Sequence, residues 1–341
     1  NSAAAKPRPE CRVGSTSSWS GQTNGDTSEG WVHSLVAKLI SPQKSAVEEV
    51  PPLVNFVFGV LAILGSAMLA LALSGNWKWG LAAAAAMATF PSAVTLSANP
   101  TPMIFASFWL VLFLALRWSY SKTENKLAPL PLLLVVSLIM AMARLENLLV
   151  IVLIEAFFVL TSLKTLKARK LLPWWGATIA LVAVRLFLFE NAWTSDNIFF
   201  SDPDSGVPAL ITNLSSFHQY FLGSQILLFA LLLVGTIWMG VKNGKGLLYL
   251  LLASLPLFIF YSVTKFEYEA EYVRYMLYLA PVFSIITGSA LVWLFEAEFK
   301  RKQAVLAAII LLMFLAPLLR QDKLASMEQG KFDYGSYVYD G

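Results

Sequence analysis

The stretch from Val54 to Leu73, VNFVFGVLAILGSAMLALAL, runs for twenty residues without one charged side chain. An α-helix rises 1.5 Å per residue, so such a run reaches about 30 Å, the hydrocarbon thickness of a bilayer. A barrel strand would be shorter and would alternate polar with apolar residues. The reading is therefore a helix made to sit in lipid, and the rest of the chain can be tested for the same habit.

It has that habit. Over 341 residues the chain is 57% hydrophobic and only 13% charged, with mean hydropathy +0.64, which is too apolar for a water-soluble fold of this size. Ten apolar segments cover 54–73, 79–97, 103–116, 127–143, 148–163, 174–189, 224–239, 247–263, 277–295 and 304–319. The expected fold is an all-α, polytopic transmembrane helical bundle of about ten spans, some of them tilted or broken because they fall short of the ~20 residues that a straight span needs. Residues 1–49 are polar and read as a first loop outside the membrane. Residues 50–320 form the transmembrane domain. Residues 321–341 are a tail on the same side as the first loop, fitting the start of a further domain. The sequence opens without Met, and a helix upstream of residue 1 is expected.

Lysines and arginines set the orientation, because short loops rich in them stay cytoplasmic. Lys78, then Arg117, Lys122 and Lys126, then Lys164, Lys167, Arg169 and Lys170, then Lys242 and Lys245, then Lys300, Arg301 and Lys302 fall in alternate connections. The intervening connections carry Glu190, Asp196, Asp202 and Asp204, then Glu267, Glu269 and Glu271. The acids thus gather on the extracytoplasmic face. Cys11 is the only cysteine and forms no internal disulfide. No P-loop, GxGxxG, CxxC or HExxH is present, so neither nucleotide-driven transport nor a familiar metal motif has support. The net charge of +4 is small and points to no nucleic-acid partner.

Ionisable groups at membrane depth cost a few kcal/mol each on insertion scales, so each needs a partner or a task. Five groups qualify. Arg144 and Glu146 lie in MARLEN (142–147), where two short apolar segments meet; they read either as a self-paired hairpin turn or as a guanidinium fork offered to a phosphate. Glu155 and Arg185 lie inside spans, where an ion pair between their helices is possible; Arg185 is also near enough to a helix end to snorkel. The connection from Glu190 to Gly223 reads as a solvated loop with an N-glycosylation sequon at Asn213-Leu214-Ser215, and its His218 as an interfacial residue. In TKFEYEAEYVRYMLYLAP (264–281), Glu267, Glu271 and Arg274 share a helical face, or the segment alternates with acids on one side; an aromatic belt explains its tyrosines equally well. In the first loop stand Glu10, Asp26, Glu29 and His33, with Glu48 and Glu49 before the prolines.

Taken in order, VPPLVNFVFGVLAILGSAMLALAL (50–73), ATFPSAVTLSANPTPMIFASFWLVLFLAL (88–116), MARLENLLVIVL (142–153) and VRYMLYLAPVFSIITG (273–288) resemble the polytopic glycosyltransferases of the C superfold, among them the protein mannosyltransferases and aminoarabinose transferases. The resemblance implies an inverting transfer of a sugar from a polyprenyl-phosphate donor to a lipid, glycan or protein acceptor, in the plasma membrane or endoplasmic reticulum, at the extracytoplasmic face. It implies a carboxylate in the first outer loop as base, assigned to Asp26 or Glu29, in some members with a divalent metal ion. Arg144 and Arg274 would bind the donor phosphate, and Glu146, Glu267, Glu269, Glu271, Tyr275 and His33 would line the substrate cavity. This chain departs from the pattern in its Ser/Thr-rich first loop and in lacking the helix before it, so the acid could also lie upstream of Asn1. The competing expectations are a secondary transporter or lipid flippase, with Glu155 and Arg185 on its path, and a noncatalytic membrane scaffold.

Overall fold

A computed structural model describes residues 50–90, 103–123, 129–143, 146–162, 176, 179–180, 206–218, 226–264, 276–296 and 302–319. All regular structure among them is helical. In chain order the helices are α1 (Val50–Ser74), α2 (Trp77–Ala88), α3 (Met103–Lys122), α4 (Leu130–Ala143), α5 (Asn147–Ser162), α6 (Val207–His218), α7 (Ile226–Val263), a 3-10 turn at Leu277–Leu279, α8 (Ala280–Glu296) and α9 (Lys302–Leu319). By length and composition α1, α3 and α7 can cross a membrane, while α4, α5, α8 and α9 are shorter apolar helices. The ten-span count also draws on stretches outside the described residues.

Local chemistry explains the joints. Gly75, at φ 70°, ends α1 in the left-handed conformation that glycine adopts without penalty. Asn76 then caps α2, its Oδ1 accepting from the Lys78 amide at 3.0 Å, so α1 and α2 form a tight antiparallel pair. The stretch 226–263 is predicted as two segments with a basic loop between them, and the structure instead carries helix through both lysines. The helical backbone is interrupted only at Asn243 (φ −146°, ψ 62°). A straight helix of this length would exceed 50 Å. Yet Leu228 packs in one cluster with Ala280, and Tyr261 near the other end bonds Glu146, whose neighbour Asn147 bonds Tyr278 close to the same Ala280. Asn243 is therefore the bend that returns the second leg beside the first. Its amide holds that bend in place, Nδ2 donating to Leu73 O at 3.0 Å and Oδ1 accepting from the Gly246 amide.

Helix α8 is the axis of the assembly, buried around most of its circumference. Apolar burial alone does not drive helices together in lipid, so close backbone contact has to. Gly235 of α7 supplies it: a Cβ there would sit 1.9 Å from Ile286 O. Gly288 does the same toward α2, where a Cβ would come within 2.7 Å of the Ala83 nitrogen. Ser289 Oγ reinforces the first contact by donating to Gly235 O at 2.9 Å. Helices α1, α2, α3 and α7 surround this axis, with α4 and α5 outside α3 and α7.

One end of the assembly collects lysines. Lys122 Nζ donates to Ala72 O at 2.9 Å, Lys78 Nζ lies 4.8 Å from the centre of the Phe295 ring, and Asn243 with Lys242 and Lys245 adjoins Leu73. This is the basic end. Arg117, read from sequence as a loop residue, belongs inside α3, which continues past Leu116 to Lys122, and its side chain is fully buried. The connection 190–223 is also more ordered than expected, since residues 207–218 form α6.

Candidate functional site

Two constellations of buried polar side chains stand out, one toward each end. Toward the basic end, Arg117 Nε and Nη2 donate to Glu155 Oε1 (2.6 Å) and Oε2 (2.8 Å), joining α3 to α5. Arg117 is 0% exposed and Glu155 7%. Removing both charges from water costs several kcal/mol per ion, which only a well-formed, parallel pair can offset. Aromatic rings close the pair off. The guanidinium carbon lies 3.9 Å from the Phe158 ring centre and 5.6 Å from that of Tyr120, with Tyr249 packed on Phe158 and Trp118. Tyr249 Oη is occupied in turn, donating to Leu114 O at 2.9 Å. The fork and both carboxylate oxygens are thus engaged with each other, an arrangement suited to locking helices together.

The opposite end is built from mostly neutral groups around the turn in MARLEN. Asn147, at the start of α5, is fully buried; its Nδ2 donates to Met140 O of α4 at 2.7 Å, stitching the hairpin. Its Oδ1 accepts from Tyr278 Oη in the 3-10 turn. The carbonyl of Tyr278 accepts from Ser107 Oγ of α3 at 3.1 Å. Next to Asn147, Glu146 Oε1 accepts from Tyr261 Oη at 2.9 Å. The end of α7 is finished by α6: Asn213 Nδ2 donates to the carbonyls of Tyr261 (3.2 Å), Ser262 (3.0 Å) and Thr264 (2.8 Å). A helix leaves its last carbonyls without intrahelical partners, and here a side chain from another helix satisfies them. The Gly206 amide adds a bond to Val263 O at 2.8 Å.

Of the residues expected to form a site, Glu146 and Glu155 are described, and they lie in different constellations. Glu155 pairs with Arg117 rather than with Arg185, which lies outside the described residues. Asp26, Glu29, His33, Arg144, Glu267, Glu269, Glu271, Arg274 and Tyr275 also lie outside them, as do Glu10, Glu48 and Glu49. Residues 1–49 and 320–341 likewise lie outside the described residues. Among the described residues no three His, Cys, Asp or Glu side chains gather as a metal group would require. The sequon is corrected: Asn213 is 3% exposed with its amide nitrogen committed to three carbonyls, which leaves it no access for a glycan.

Sequence reading missed Arg117, Asn147, Tyr261 and Tyr278 as organising residues. Asn147 and Tyr278 both stand in stretches that the sequence marks, but each is an ordinary interfacial residue until its partner is known. Comparison with protein-family models, curated proteins and solved structures returned no match.

Proposed function

We propose that this chain is a membrane glycosyltransferase that takes a sugar from a polyprenyl-phosphate donor and passes it to an acceptor at the extracytoplasmic face. In this reading about ten spans are oriented with the basic end in the cytoplasm, by the retention of lysines and arginines on that side. The observation that carries it is convergence. Three of the four stretches on which the family resemblance rests meet at the end opposite the lysines, through the bonds of Tyr278 to Asn147 and Ser107. Arg144 lies just upstream of Asn147, and Arg274 just upstream of Tyr278. Guanidinium groups close in sequence to residues tied in this way suit a donor whose departing phosphate gains charge, because donors aimed at developing charge stabilise the transition state more than the ground state.

The remaining roles follow from the chemistry. A carboxylate, Asp26 or Glu29, accepts the proton of the attacking hydroxyl, and a lipid-linked donor dispenses with any nucleotide motif. Glu146, whose carboxylate accepts from Tyr261, is assigned to the substrate cavity and is close in sequence to Arg144. A divalent cation, if the reaction uses one, would fall to the carboxylates of the first loop. The transporter alternative relied on Glu155 as a path charge, and the enclosed pairing with Arg117 gives that role no support.

The test is transfer itself. The full-length protein in bilayers, given a radiolabelled polyprenyl-phosphate sugar with lipid and peptide acceptors, is expected to label one acceptor class. Arg274→Ala should lower turnover far more than the amount of folded protein. Folded protein that labels nothing would overturn the transferase reading, and unchanged turnover in Arg274→Ala would remove the phosphate role.

A further inference from the structure

Helix α6 presents three distinct flanks. Ala209, Asn213 and Phe217 recur at i, i+4 and i+8 and face the protein: Ala209 and Asn213 are buried, and the Phe217 ring packs edge-on against Phe258 of α7 at 5.3 Å. Val207, Ile211 and Leu214 recur at i, i+4 and i+7 on a second flank and are 69%, 67% and 39% exposed. Thr212 and Ser215, both exposed, mark a third. The helix carries no charged residue. It is also firmly seated. Its start is tied to the end of α7 by the Gly206 amide, its middle by Asn213, and its far end by Phe217, which also reaches the cluster of Leu228, Ile104 and Ala280.

A rigidly docked helix with an apolar flank and a polar flank side by side fits a boundary between two solvents. The neighbouring surface identifies the apolar one. Beside Phe258, α7 exposes Leu255 and Ile259 (49% and 52%), on a helix long and apolar enough to cross a bilayer, so the bare stripe of α6 continues a surface already suited to hydrocarbon. We infer that α6 lies in the membrane interface, with Val207, Ile211 and Leu214 against lipid acyl chains and Thr212 and Ser215 toward water. Interfacial helices of this kind sink their apolar face some 5–10 Å into the boundary of headgroups and chains. The inference does not depend on the transferase reading.

Nitroxide scanning of the full chain in a phospholipid bilayer tests it. In a Cys11→Ser background, Ile211→Cys and Leu214→Cys labels are expected to relax with dissolved oxygen and Thr212→Cys and Ser215→Cys labels with a water-soluble nickel chelate, the oxygen-to-nickel ratio differing several-fold between the pairs. Equal nickel access at all four sites would overturn the inference, because the stripe would then face water. Shielding of the Ile211 and Leu214 labels from both relaxants would overturn it too, since a protein would then cover the stripe. Should Ile211→Cys fail to fold, Val207→Cys carries the same expectation.

Discussion

The two buried polar constellations solve different problems. Toward the basic end a full positive charge and a full negative charge meet inside a shell of aromatic rings, joined by two hydrogen bonds. At the far end the ties between helices are made by amides, phenols and carbonyls, with one carboxylate among them. Breaking a buried charge pair on one side typically costs about 3–5 kcal/mol, whereas orphaning one neutral buried group costs about 1–3 kcal/mol. The first arrangement fixes how α3 and α5 pack. The second ties together the stretches that carry the candidate arginines.

The largest expected effect comes from breaking the pair on one side. Glu155→Ala leaves the Arg117 guanidinium buried without its carboxylate, a change that typically costs about 3–5 kcal/mol when the surviving charge cannot reach water. Thermal unfolding in detergent or bilayer should show a large loss of stability, and Glu155→Ala with Arg117→Met should recover most of it, since no charge is then left behind. If the single variant is as stable as the parent, the pair is not the lock described, and the contrast between the two ends collapses.

That pair also marks where sequence reading stops. The apolar runs of α1, α4, α5 and α8 announce their helices directly, because periodicity and length are local properties. Arg117 reads as a loop residue because an arginine followed by Trp118, Tyr120 and Lys122 looks like any chain leaving a membrane. What makes it a span residue is a glutamate 38 positions away on another helix. One signal was available: Glu155 sits alone in an apolar run, so a cation had to be found for it, and the end of a neighbouring segment was a candidate equal to Arg185. Helix α6 was hidden for a related reason. Its Val207, Ile211 and Leu214 keep helical spacing, but the aspartates and serines around it gave the whole connection the composition of a loop. At the candidate site, sequence supplied Glu146 and the three stretches that meet there, while the contacts joining them depend on tertiary packing alone.

A middle-sized effect is expected at Asn213. Asn213→Ala removes the donor that serves the last carbonyls of α7, and a buried polar group left without its partner costs about 1–3 kcal/mol. The loss should appear as a lower unfolding midpoint. Hydrogen exchange should quicken around 206–218 and 258–264 while the amides near Arg117 stay protected, so the two ends respond separately. Exchange that quickens equally at both ends would show that they form one cooperative unit. The same position offers a check on the buried amide: in a host that glycosylates, endoglycosidase treatment should cause no mass shift attributable to Asn213, and a shift lost in Asn213→Gln would mean that the side chain is accessible.

The smallest effect separates stability from positioning. Tyr261→Phe deletes one hydroxyl and the bond it gives to Glu146, leaving the ring and its packing against Phe260 in place. A single hydrogen bond contributes about 0.5–1.5 kcal/mol net, somewhat more where the acceptor is charged, so unfolding should shift only slightly. If Glu146 helps to hold the connection between α4 and α5, turnover of the lipid-linked donor should fall by more than this stability change explains. The loss should appear in kcat/KM at low donor concentration. A variant that loses that small stability and no activity would confine the Tyr261–Glu146 bond to packing, and the far end would then differ from the Arg117–Glu155 pair in strength without differing in kind.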